Sequence, residues 1–456
     1  MAVAVTLAVT VTVGRAVVAR EPPLFLSLSL SPPPSLSLSP PVPAPASRCA
    51  TRPAVTDRVH DVIVVGAGPA GAAVAARLQQ HGVKDVLVVD RYEFPRDKPC
   101  GGGLTGHIDE ALAALDLALT VPSVASPAAT VRFGSFRRTV TMGRPVRVIR
   151  RVEFDASLVE QVRAKGTEVR TGVAVDGVAV EADHVALALA GGGALRARVV
   201  VGADGAASIV RKHLTGNAKA LPHRLFMAEL AGPVDAARDD AMVYDFTAMQ
   251  DGLRGYVWLF PVAGGRTNVG IMHYPSSRRG GPELLTMLRK HLAPYGVALP
   301  AKGSRGWPVW GYHPSAPVSA PRLLTVGDAA GIDGLTGEGI AVAMEQAQVA
   351  GDAVARALTT GDVGFKGYRR ALRKAVVGRE LALDRHLARL LYQHGPGWQR
   401  WLSLVLFDPD VLEMYAARVA GTEILADQKA RLWGALVRHG FAAGRRRREL
   451  TAAAAG

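Results

Sequence analysis

The glycine-rich segment GAGPAG at residues 66–71 leaves few folds open to this chain. It follows a short apolar run at 59–65 (VHDVIVV), which predicts a parallel strand buried on both faces. Its glycines suit a tight turn, a close approach of the backbone to a phosphate, and close contact between helix and strand. The helix predicted over 72–80 would direct the positive end of its dipole at that phosphate. This order of elements predicts a dinucleotide-binding unit.

An acidic residue after the next strand supports the same interpretation. The run VLVV at 86–89 predicts a second strand, and it ends at Asp90, 19 residues after Gly71. A carboxylate at that spacing can accept hydrogen bonds from ribose hydroxyls. The triple glycine at 191–193 is not a second fingerprint, because it lies between two strand-like runs and predicts a hairpin turn. An NAD(P) enzyme would keep this one site for its nicotinamide cofactor, whereas a flavoprotein would hold FAD there and take electrons from a transient donor.

Three further segments favour the flavoprotein. Residues 151–155 (RVEFD) precede a helix predicted to run to about 165, with Asp155 as its N-cap. GADG at 202–205 and LLTVGDAAG at 323–331 each place an acid after a buried strand, where it can bind a hydroxyl of FAD. A helix beginning near GEGI at 337–340 can face the pyrophosphate or the flavin ring, and its dipole would stabilise negative charge there.

In this order and spacing, the segments resemble the group A flavin-dependent monooxygenase superfamily. Within it, PRDKPCGG at 95–102 is similar to the P-x-x-K-x-C-G-G loop of the geranylgeranyl reductase family. YVWLFP at 256–261, followed by Gly270, is similar to the Y-x-W-x-F-P…G motif of that family. Flavin-dependent halogenases carry a related W-x-W-x-I-P, from which Tyr256 and Phe260 depart. The resemblance covers roughly residues 59–360.

The resemblance implies FAD as the cofactor, with NADPH or reduced ferredoxin as the electron donor, and it assigns roles to individual residues. The residues it implies for FAD are Gly66, Gly68, Pro69, Ala70, Gly71, Asp90, Arg91, Cys100, Gly101, Gly102, Arg151, Asp204, Gly205, Gly327, Asp328, Gly337, Gly339 and Ile340. The residues it implies for catalysis are Cys100, Tyr256 and Trp258, and those for substrate are Phe260, Pro261 and Trp307. Packing is the alternative role for Trp307.

The fold class implied is α/β, a Rossmann-like FAD-binding domain of the glutathione-reductase type with an inserted, mostly antiparallel β substrate domain and C-terminal helices. The expected pieces are 57–105, 145–215 and 315–360 for the FAD domain, 106–144 and 216–314 for the insertion, and 361–456 for the helices with a basic tail. Alternating runs within 222–275 independently predict a sheet. The Leu-Ser and Pro repeats within 1–56 predict a disordered, low-complexity extension.

Apolar stripes predict C-terminal helices at about 371–391, 398–406 and 424–441. A bundle that packs on the core and a border for a lipid pocket are both compatible with them.

The chemistry of an isoprenoid reductase can be argued from the residues. An isolated alkene is not polarised, so hydride addition needs a proton from an acid held in a dry pocket. Cys100 and Tyr256 are the candidate acids, and the faces of Trp258 and Phe260 could stabilise the developing cation. The alternative roles are a small buried hydrophobe for Cys100 and packing beneath the sheet for the aromatic residues.

These residues predict reduction of carbon–carbon double bonds in an isoprenoid or prenyl-lipid substrate: geranylgeranyl diphosphate, a chlorophyll-type ester, an archaeal-type lipid or a polyprenyl quinone. One alternative is a monooxygenase or halogenase that uses O2. A halogenase would need an active-site lysine. Lys98 is the lysine near a motif, and the position that it takes in the family motif indicates a structural role instead. The other is an electron-transfer flavoprotein that donates to quinone, although the chain lacks iron–sulfur cysteines.

Composition limits the partners. The formal net charge is +15, but the basic residues are scattered without an aromatic–basic ribbon, so we expect no nucleic-acid partner. The chain has two cysteines, Cys49 and Cys100, which exclude a disulfide scaffold, and its isolated histidines predict no metal site. We expect a cytoplasmic location. Residues 445–448 (RRRR) predict a solvated tail and leave open a peripheral contact with a membrane.

Overall fold

The structure is a computed structural model that describes residues 58–216, 221–274, 283–300, 303–392 and 397–455. The disorder predicted for residues 1–56 lies outside the described residues, as does Cys49. Among the described helices, none is both long and apolar enough to cross a bilayer.

Sixteen strands are formed by the described residues. They are β1 (Val59–Val65), β2 (Val86–Val89), β3 (Gly103–Leu104), β4 (Ser123–Phe133), β5 (Phe136–Ile149), β6 (Glu168–Arg170), β7 (Val175–Val180), β8 (Val185–Leu189), β9 (Ala194–Gly202), β10 (His223–Leu230), β11 (Met242–Asp245), β12 (Val257–Val262), β13 (Arg266–His273), β14 (Arg305–Val309), β15 (Ser319–Ala320) and β16 (Leu323–Thr325).

Eleven α-helices accompany them in the same residues. They are α1 (Pro69–Gln80), α2 (His107–Ala113), α3 (Arg151–Ala164), α4 (Ile209–Thr215), α5 (Leu284–Leu292), α6 (Ile340–Thr360), α7 (Tyr368–Lys374), α8 (Val376–Tyr392), α9 (Trp398–Phe407), α10 (Pro409–Val419) and α11 (Lys429–Ala455).

The first sheet contains the glycine-rich unit predicted from the sequence. Its strand order is β15-β16-β9-β1-β2-β6, and β16, β9, β1, β2 and β6 pair in parallel. The strand β1 lies between two neighbours and is buried from Val62 onward, which explains its apolar run. The predicted hairpin is confirmed, since β8 and β9 pair antiparallel across the turn at Gly191–Gly193. Helices α1 and α6 pack against each other over this sheet.

The second sheet is mostly antiparallel, as expected for the α/β fold class with an inserted β region. Its order is β14-β10-β13-β12-β11-β4-β5-β3, and the one parallel pair among these strands is β11 with β4. The long strand β5 crosses the boundary expected at 144/145, while α2 packs on the core of the first sheet. Elements of the two sheets therefore alternate along the chain between residues 103 and 150.

One local prediction is wrong, and a second is refined. Asp155 is not an N-cap, because α3 begins at Arg151 after Arg150 in extended conformation, and Asp155 lies one turn inside the helix. Both of its carboxylate oxygens accept hydrogen bonds from the Arg151 side chain at 2.7 and 2.8 Å, so this i, i+4 pair engages the carboxylate with a guanidinium instead of with the first backbone nitrogens of the helix. The basic segment predicted as a tail at 445–448 is helical, because α11 continues to Ala455, and Arg445 and Arg448 are exposed there.

The C-terminal helices also differ from the sequence pattern. The helix predicted at 371–391 is two helices, α7 and α8, because Ala375 is extended. The sequence analysis missed α10, which begins with Asp408 as N-cap and a proline in its first turn. The 398–406 helix is confirmed as α9.

Candidate functional site

A cavity of about 1140 Å³ runs from the glycine-rich turn to the C-terminal helices. The turn, the 95–103 loop, one face of the second sheet and helices α8–α11 all contribute to its lining. The predicted site residues that line it are Gly66, Gly68, Pro69, Ala70, Asp90, Arg91, Cys100, Gly101, Gly102, Arg151, Asp204, Gly205, Tyr256, Trp258, Phe260, Trp307, Asp328, Gly337, Gly339 and Ile340. Three predicted residues do not line it: Gly71, Gly327 and Pro261.

Asp90 is held rigidly at the end of β2. Its two carboxylate oxygens accept hydrogen bonds from the backbone nitrogens of Ala67 (2.8 Å) and Tyr92 (2.9 Å). The first of these ties the carboxylate to the glycine-rich turn. Gly71 acts in packing instead: a Cβ there would lie 1.8 Å from the carbonyl oxygen of Gly66, so a larger residue would separate α1 from the turn.

Arg96 is a site residue that the sequence analysis missed. Its guanidinium lies 3.2 Å from the carboxylate of Asp155, and its Nη2 lies 3.2 Å from the position that a Cβ on Gly68 would take. Its buried Nε has no hydrogen-bond partner among the described residues. This Nε lies 3.9 Å from the carboxylate of Asp90, whereas Nη2 lies beside Gly68, where α1 begins, the end of a helix that attracts phosphate. The available signal was a basic residue inside the 95–102 motif.

Asp204 offers an unused acceptor to the cavity. Its Oδ2 accepts from the backbone nitrogen of Ile209 at 2.7 Å, while its buried Oδ1 has no partner among the described residues. Burial raises the pKa of this carboxyl. A buried acceptor of this kind is costly unless a ligand hydroxyl donates to it. With a donor in Arg96 near α1 and an acceptor in Asp204, the residues present fit a ligand that has both phosphate and hydroxyl groups, as FAD has.

Arg151 and Asp328 carry the charges expected beside the cofactor. Burial opposes the charged form of Arg151, but Asp155 outweighs that effect and the pKa of Arg151 is raised. Lys98 lies 3.3 Å from the carboxylate of Asp328 and 5.6 Å from the ring centre of Trp307. Trp307 therefore lies beside Lys98 of the 95–103 loop, and its buried Nε1 has no partner in the described part of the chain.

The two motifs that resemble geranylgeranyl reductases meet in space. A Cβ on Gly101 would lie 3.0 Å from Phe260 and 3.4 Å from Nε1 of Trp258, so the loop rests directly on the aromatic strand. Asn268 joins them: its Oδ1 accepts from Trp258 Nε1 at 2.8 Å and its Nδ2 donates to the carbonyl of Cys100 at 2.9 Å. The Sγ of Cys100 accepts from the backbone nitrogen of Gly102 at 3.4 Å. Asn268 was missed because it lies outside both motifs.

Strand alternation decides which residues of β12, together with Tyr256 just before it, face the cavity. Tyr256, Trp258 and Phe260 face it, whereas Pro261 belongs to the other face of the sheet and cannot meet substrate in this cavity. Gly270 on β13 is required by Trp258, because a Cβ there would lie 2.2 Å from the indole ring.

Two further aromatic residues, Tyr244 and Phe246, extend the same surface. Tyr244 lies 5.4 Å from Tyr256 and 5.2 Å from Phe260 between ring centres, and Phe246 lies 5.7 Å from Tyr256. The Tyr256 hydroxyl donates to the carbonyl of Thr336. Burial, reinforced by Tyr244, raises the pKa of Tyr256 well above its usual value. The cavity therefore has a dense aromatic wall opposite the C-terminal helices.

The C-terminal helices supply an apolar wall. It consists of Leu383, Leu387, Leu390, Leu391, Tyr392, Trp401, Leu404, Val405, Val411, Leu412, Met414, Tyr415, Ala416, Val419, Leu425, Leu432, Trp433 and Leu436. The missed helix α10 contributes several of these. The pattern analysis left open whether the helices pack on the core or border a pocket, and in the structure they do both.

A buried ionic cluster ties this wall to the loop at 337–339. The guanidinium of Arg418 on α10 lies 3.0 Å from Glu338 and 2.8 Å from Glu380, and it also donates to Asp384. Burial raises the pKa of Asp384. Burial, and then the charge of Glu338, raise the pKa of Glu345 to about 8. Three carboxyls, those of Glu338, Glu380 and Asp384, thus share one arginine, and the charge of Glu338 favours the protonated form of Glu345.

Metal ligation has no support among the described residues, where no group of three or more His, Cys, Asp or Glu side chains could hold an ion.

Comparison with known proteins identifies the family of the fold and two relatives. The FAD binding domain family matches residues 59–376. The digeranylgeranylglycerophospholipid reductase of Methanosarcina mazei is 30% identical over 321 residues, which are 67% of this chain and 77% of that protein. The menaquinone reductase of Mycolicibacterium smegmatis is 28% identical over 405 residues, which are 82% of this chain and 95% of that protein.

Solved structures share the fold. A geranylgeranyl bacteriochlorophyll reductase-like protein from Thermoplasma acidophilum superposes with a TM-score of 0.65 at 21% identity, covering 86% of this chain and 99% of its own. The halogenase PltM in complex with phloroglucinol and FAD superposes with a TM-score of 0.60 at 17% identity, covering 81% and 83%. At these identities, the two structures establish the architecture alone.

Proposed function

Because the chain belongs to the FAD binding domain family and, within it, to the geranylgeranyl reductase-like FAD-dependent oxidoreductases, we propose that it reduces carbon–carbon double bonds in the isoprenoid chain of a prenyl lipid. One observation carries this proposal: a single cavity joins the cofactor motifs to an apolar wall of four C-terminal helices. Relatives named for digeranylgeranylglycerophospholipid and menaquinone reduction support a prenyl lipid as the substrate class.

The size and the lining of the cavity suit a long apolar substrate. At about 1140 Å³ it exceeds the 300–1,000 Å³ typical of small-molecule pockets, which leaves room for a chain beside a dinucleotide. Each methylene that leaves water for the wall of α8–α11 would contribute about 0.8 kcal/mol. A prenyl chain with several isoprene units would therefore bind mainly through its length.

The reaction adds two hydrogens to the alkene, one as hydride and one as a proton. FAD supplies the hydride when it is bound in its reduced form, and NADPH or reduced ferredoxin would restore that form. Cys100 is the preferred proton donor, because its sulfur only accepts the hydrogen bond from Gly102 and its thiol hydrogen is not used by that bond. Tyr256 is a weaker candidate, because its hydroxyl hydrogen is directed at Thr336 and its pKa is raised.

The aromatic wall has a role that follows from this order of events. A proton added to the less substituted carbon of the alkene places positive charge on the tertiary carbon. The faces of Trp258 and Phe260, with Tyr244 between Tyr256 and Phe260, can stabilise that charge, and the dry surroundings strengthen the interaction.

Anaerobic turnover tests the proposal. The holoenzyme would be reduced with dithionite and incubated with the prenyl lipids geranylgeranyl diphosphate, a geranylgeranyl ester, a geranylgeranyl glycerolipid and a menaquinone. Mass spectrometry should show a gain of two hydrogens per reduced bond in at least one of them. Heat-denatured protein with dithionite is the control. No gain with any lipid, under conditions where the flavin is reduced, would contradict the proposal.

The rival activities give different products in the same system. Consumption of NADPH in air with peroxide or a hydroxylated product would indicate a monooxygenase. Reduction of a quinone ring with no change in its prenyl chain would indicate an electron-transfer flavoprotein. Halogenation is disfavoured by Lys98, whose ammonium is engaged by Asp328 and Trp307.

A further inference from the structure

Large apolar side chains are exposed where the cavity meets the surface. Leu390 on α8 and Trp433 on α11 both line the cavity and are 40% and 69% exposed. Val437 follows Trp433 by one helical turn and is 56% exposed. We call these three residues the mouth patch.

The mouth patch differs from ordinary surface apolar residues. Among the described residues, the other exposed large apolar side chains are Val59, Tyr92, Val180 and Val376. Those residues are spread over different elements, and single exposed apolar residues need no explanation. Tyr92 also lines the cavity, but it does so as a single residue beside Asp90. The mouth patch instead adjoins the apolar wall of the C-terminal helices, and it contains Trp433, a residue type that favours the boundary between water and hydrocarbon.

Basic side chains flank the mouth patch. Lys429 lies one turn before Trp433 on the same side of α11, and Arg389 precedes Leu390; both are exposed and neither forms an ion pair with a described residue. Arg448, also exposed, follows Val437 by eleven residues, about three turns, and so lies on the same side of the helix. An apolar stripe with tryptophan and a basic margin is the pattern of a helix that lies in a membrane interface.

We propose that the mouth patch docks on the surface of an anionic phospholipid bilayer, so that a prenyl lipid passes from the bilayer into the cavity without crossing water. The basic margin supplies the charge complementarity, and the continuity of the patch with the cavity gives the docking a purpose. The transfer of a prenyl lipid into the cavity rests on the proposed function, whereas the docking itself does not. A second copy of this chain is the competing occupant.

Vesicle binding by the holoenzyme tests the docking without any prenyl substrate. The yellow protein should co-sediment with vesicles that contain phosphatidylcholine and phosphatidylglycerol more than with phosphatidylcholine alone, and salt should weaken this binding. Val437→Glu should reduce binding to the anionic vesicles at least about tenfold, because it adds a negative charge to the apolar stripe. Arg389→Gln should reduce it about fivefold, the effect of one basic residue near such a surface.

The matched control is Val180→Glu, which makes the same change at an exposed valine (39%) on β7, a strand of the first sheet. It should bind vesicles as the wild type does. Flavin content and thermal unfolding would confirm that each variant is folded. Equal vesicle binding by Val437→Glu and the wild type would overturn the proposal. A wild-type dimer that Val437→Glu converts to a monomer, with vesicle binding unchanged, would also overturn it and assign the patch to a second copy.

Turnover separates failure of the docking from failure of the proposed function. Val437 and Arg389 do not line the cavity, so their variants should reduce a prenyl lipid in detergent micelles at the wild-type rate and fail with the same lipid in vesicles. If the wild type binds anionic vesicles through the patch and reduces no prenyl lipid in either system, the docking is supported and the proposed function fails. If both variants reduce vesicle lipid normally, the docking is overturned and the proposed function is supported.

Discussion

The side-chain nitrogen of Asn268 donates a hydrogen bond of 2.9 Å to the backbone carbonyl of Cys100, although 168 residues separate the two. The other end of the same amide accepts from Trp258. One buried side chain thus fixes the distance between the glycine-containing loop at 95–103 and the aromatic strand. The geometry of the proposed proton donor depends on this bridge.

Removal of the bridge should loosen the loop. In Asn268→Ala, the carbonyl of Cys100 and the indole nitrogen of Trp258 both lose a partner, which should cost about 1–3 kcal/mol of stability. In a Cys49→Ser background, iodoacetamide should alkylate Cys100 several-fold faster than in the parent. Thr267→Ala is the control, because Thr267 is the buried neighbour on the same strand and its hydroxyl donates to Gly232 instead. Unchanged alkylation in Asn268→Ala would show that the loop is held by other contacts.

Loss of the Cys100 thiol should impair proton transfer to the alkene and leave FAD binding intact. Cys100→Ser keeps the size of the side chain and greatly weakens its acidity. We expect FAD content and flavin reduction to persist while alkene reduction falls at least about tenfold, the lower end of what a proton-transfer group contributes. Cys49→Ser should behave as the wild type. Normal alkene reduction by Cys100→Ser would transfer the acid role to Tyr256, and loss of FAD would make Cys100 structural.

Two carboxylates should each contribute to FAD binding. Asp90→Ala and Asp328→Ala each remove an acceptor at the cavity, and we expect each to weaken binding by about 1–3 kcal/mol. Asp90→Ala should have the larger effect, because Asp90 also orders the backbone of Ala67 and Tyr92. Titration of the apoprotein with FAD, followed by quenching of flavin fluorescence, measures this. Asp183→Ala, on the surface, should bind FAD normally, and equal affinity in all three variants would contradict the assignment.

Arg96 should recognise the phosphates of the cofactor. Its Nη2 lies beside Gly68 at the start of α1, so Arg96→Gln should weaken FAD binding by about 1.5–3 kcal/mol, the range for a hydrogen bond to a charged group. Riboflavin, which has no phosphate, should lose little affinity in the same variant. Arg137→Gln, at an exposed position on β5, is the control. An equal loss for FAD and riboflavin would mean that Arg96 acts only through its ion pairs with Asp155 and Asp90.

Glu345 should make stability depend on pH. Its folded pKa, about 8, lies above the usual 4.5, so between these values the folded state holds a proton that the unfolded state has released. The contribution of Glu345 to the free energy of unfolding is therefore largest below about pH 4.5. It falls as pH rises toward 8, with a slope of about 1.4 kcal/mol per pH unit. Glu345→Gln should flatten this part of the curve, whereas Glu413→Gln, at an exposed position, should not. Thermal unfolding from pH 5 to 8.5 measures the difference, and parallel curves for Glu345→Gln and the wild type would refute the prediction.

Patterns within a few consecutive residues of the sequence were sufficient to predict the cofactor unit. The strand β1, the turn after it and the strand β2 were predicted with their observed bounds, because burial on both faces and a tight turn each leave a pattern within a few consecutive residues. The alternating runs within 222–275 likewise predicted a sheet there, although not the bounds of its strands. Cofactor and family follow from such local patterns, since the phosphate-binding turn requires glycine at fixed positions.

Tertiary structure decided the rest, because it depends on which distant residues meet. Asn268 carries no motif, and only the pairing of β12 with β13 brings it between Trp258 and Cys100. Arg96 gains its place from the fold of its loop over Gly68. Pro261 loses its predicted contact with substrate because strand alternation directs it to the opposite face. An amphipathic helix pattern indicates that one face of the helix is covered, but it does not indicate what covers that face. The sequence alone therefore could not decide whether α8–α11 cover a core, a cavity or both.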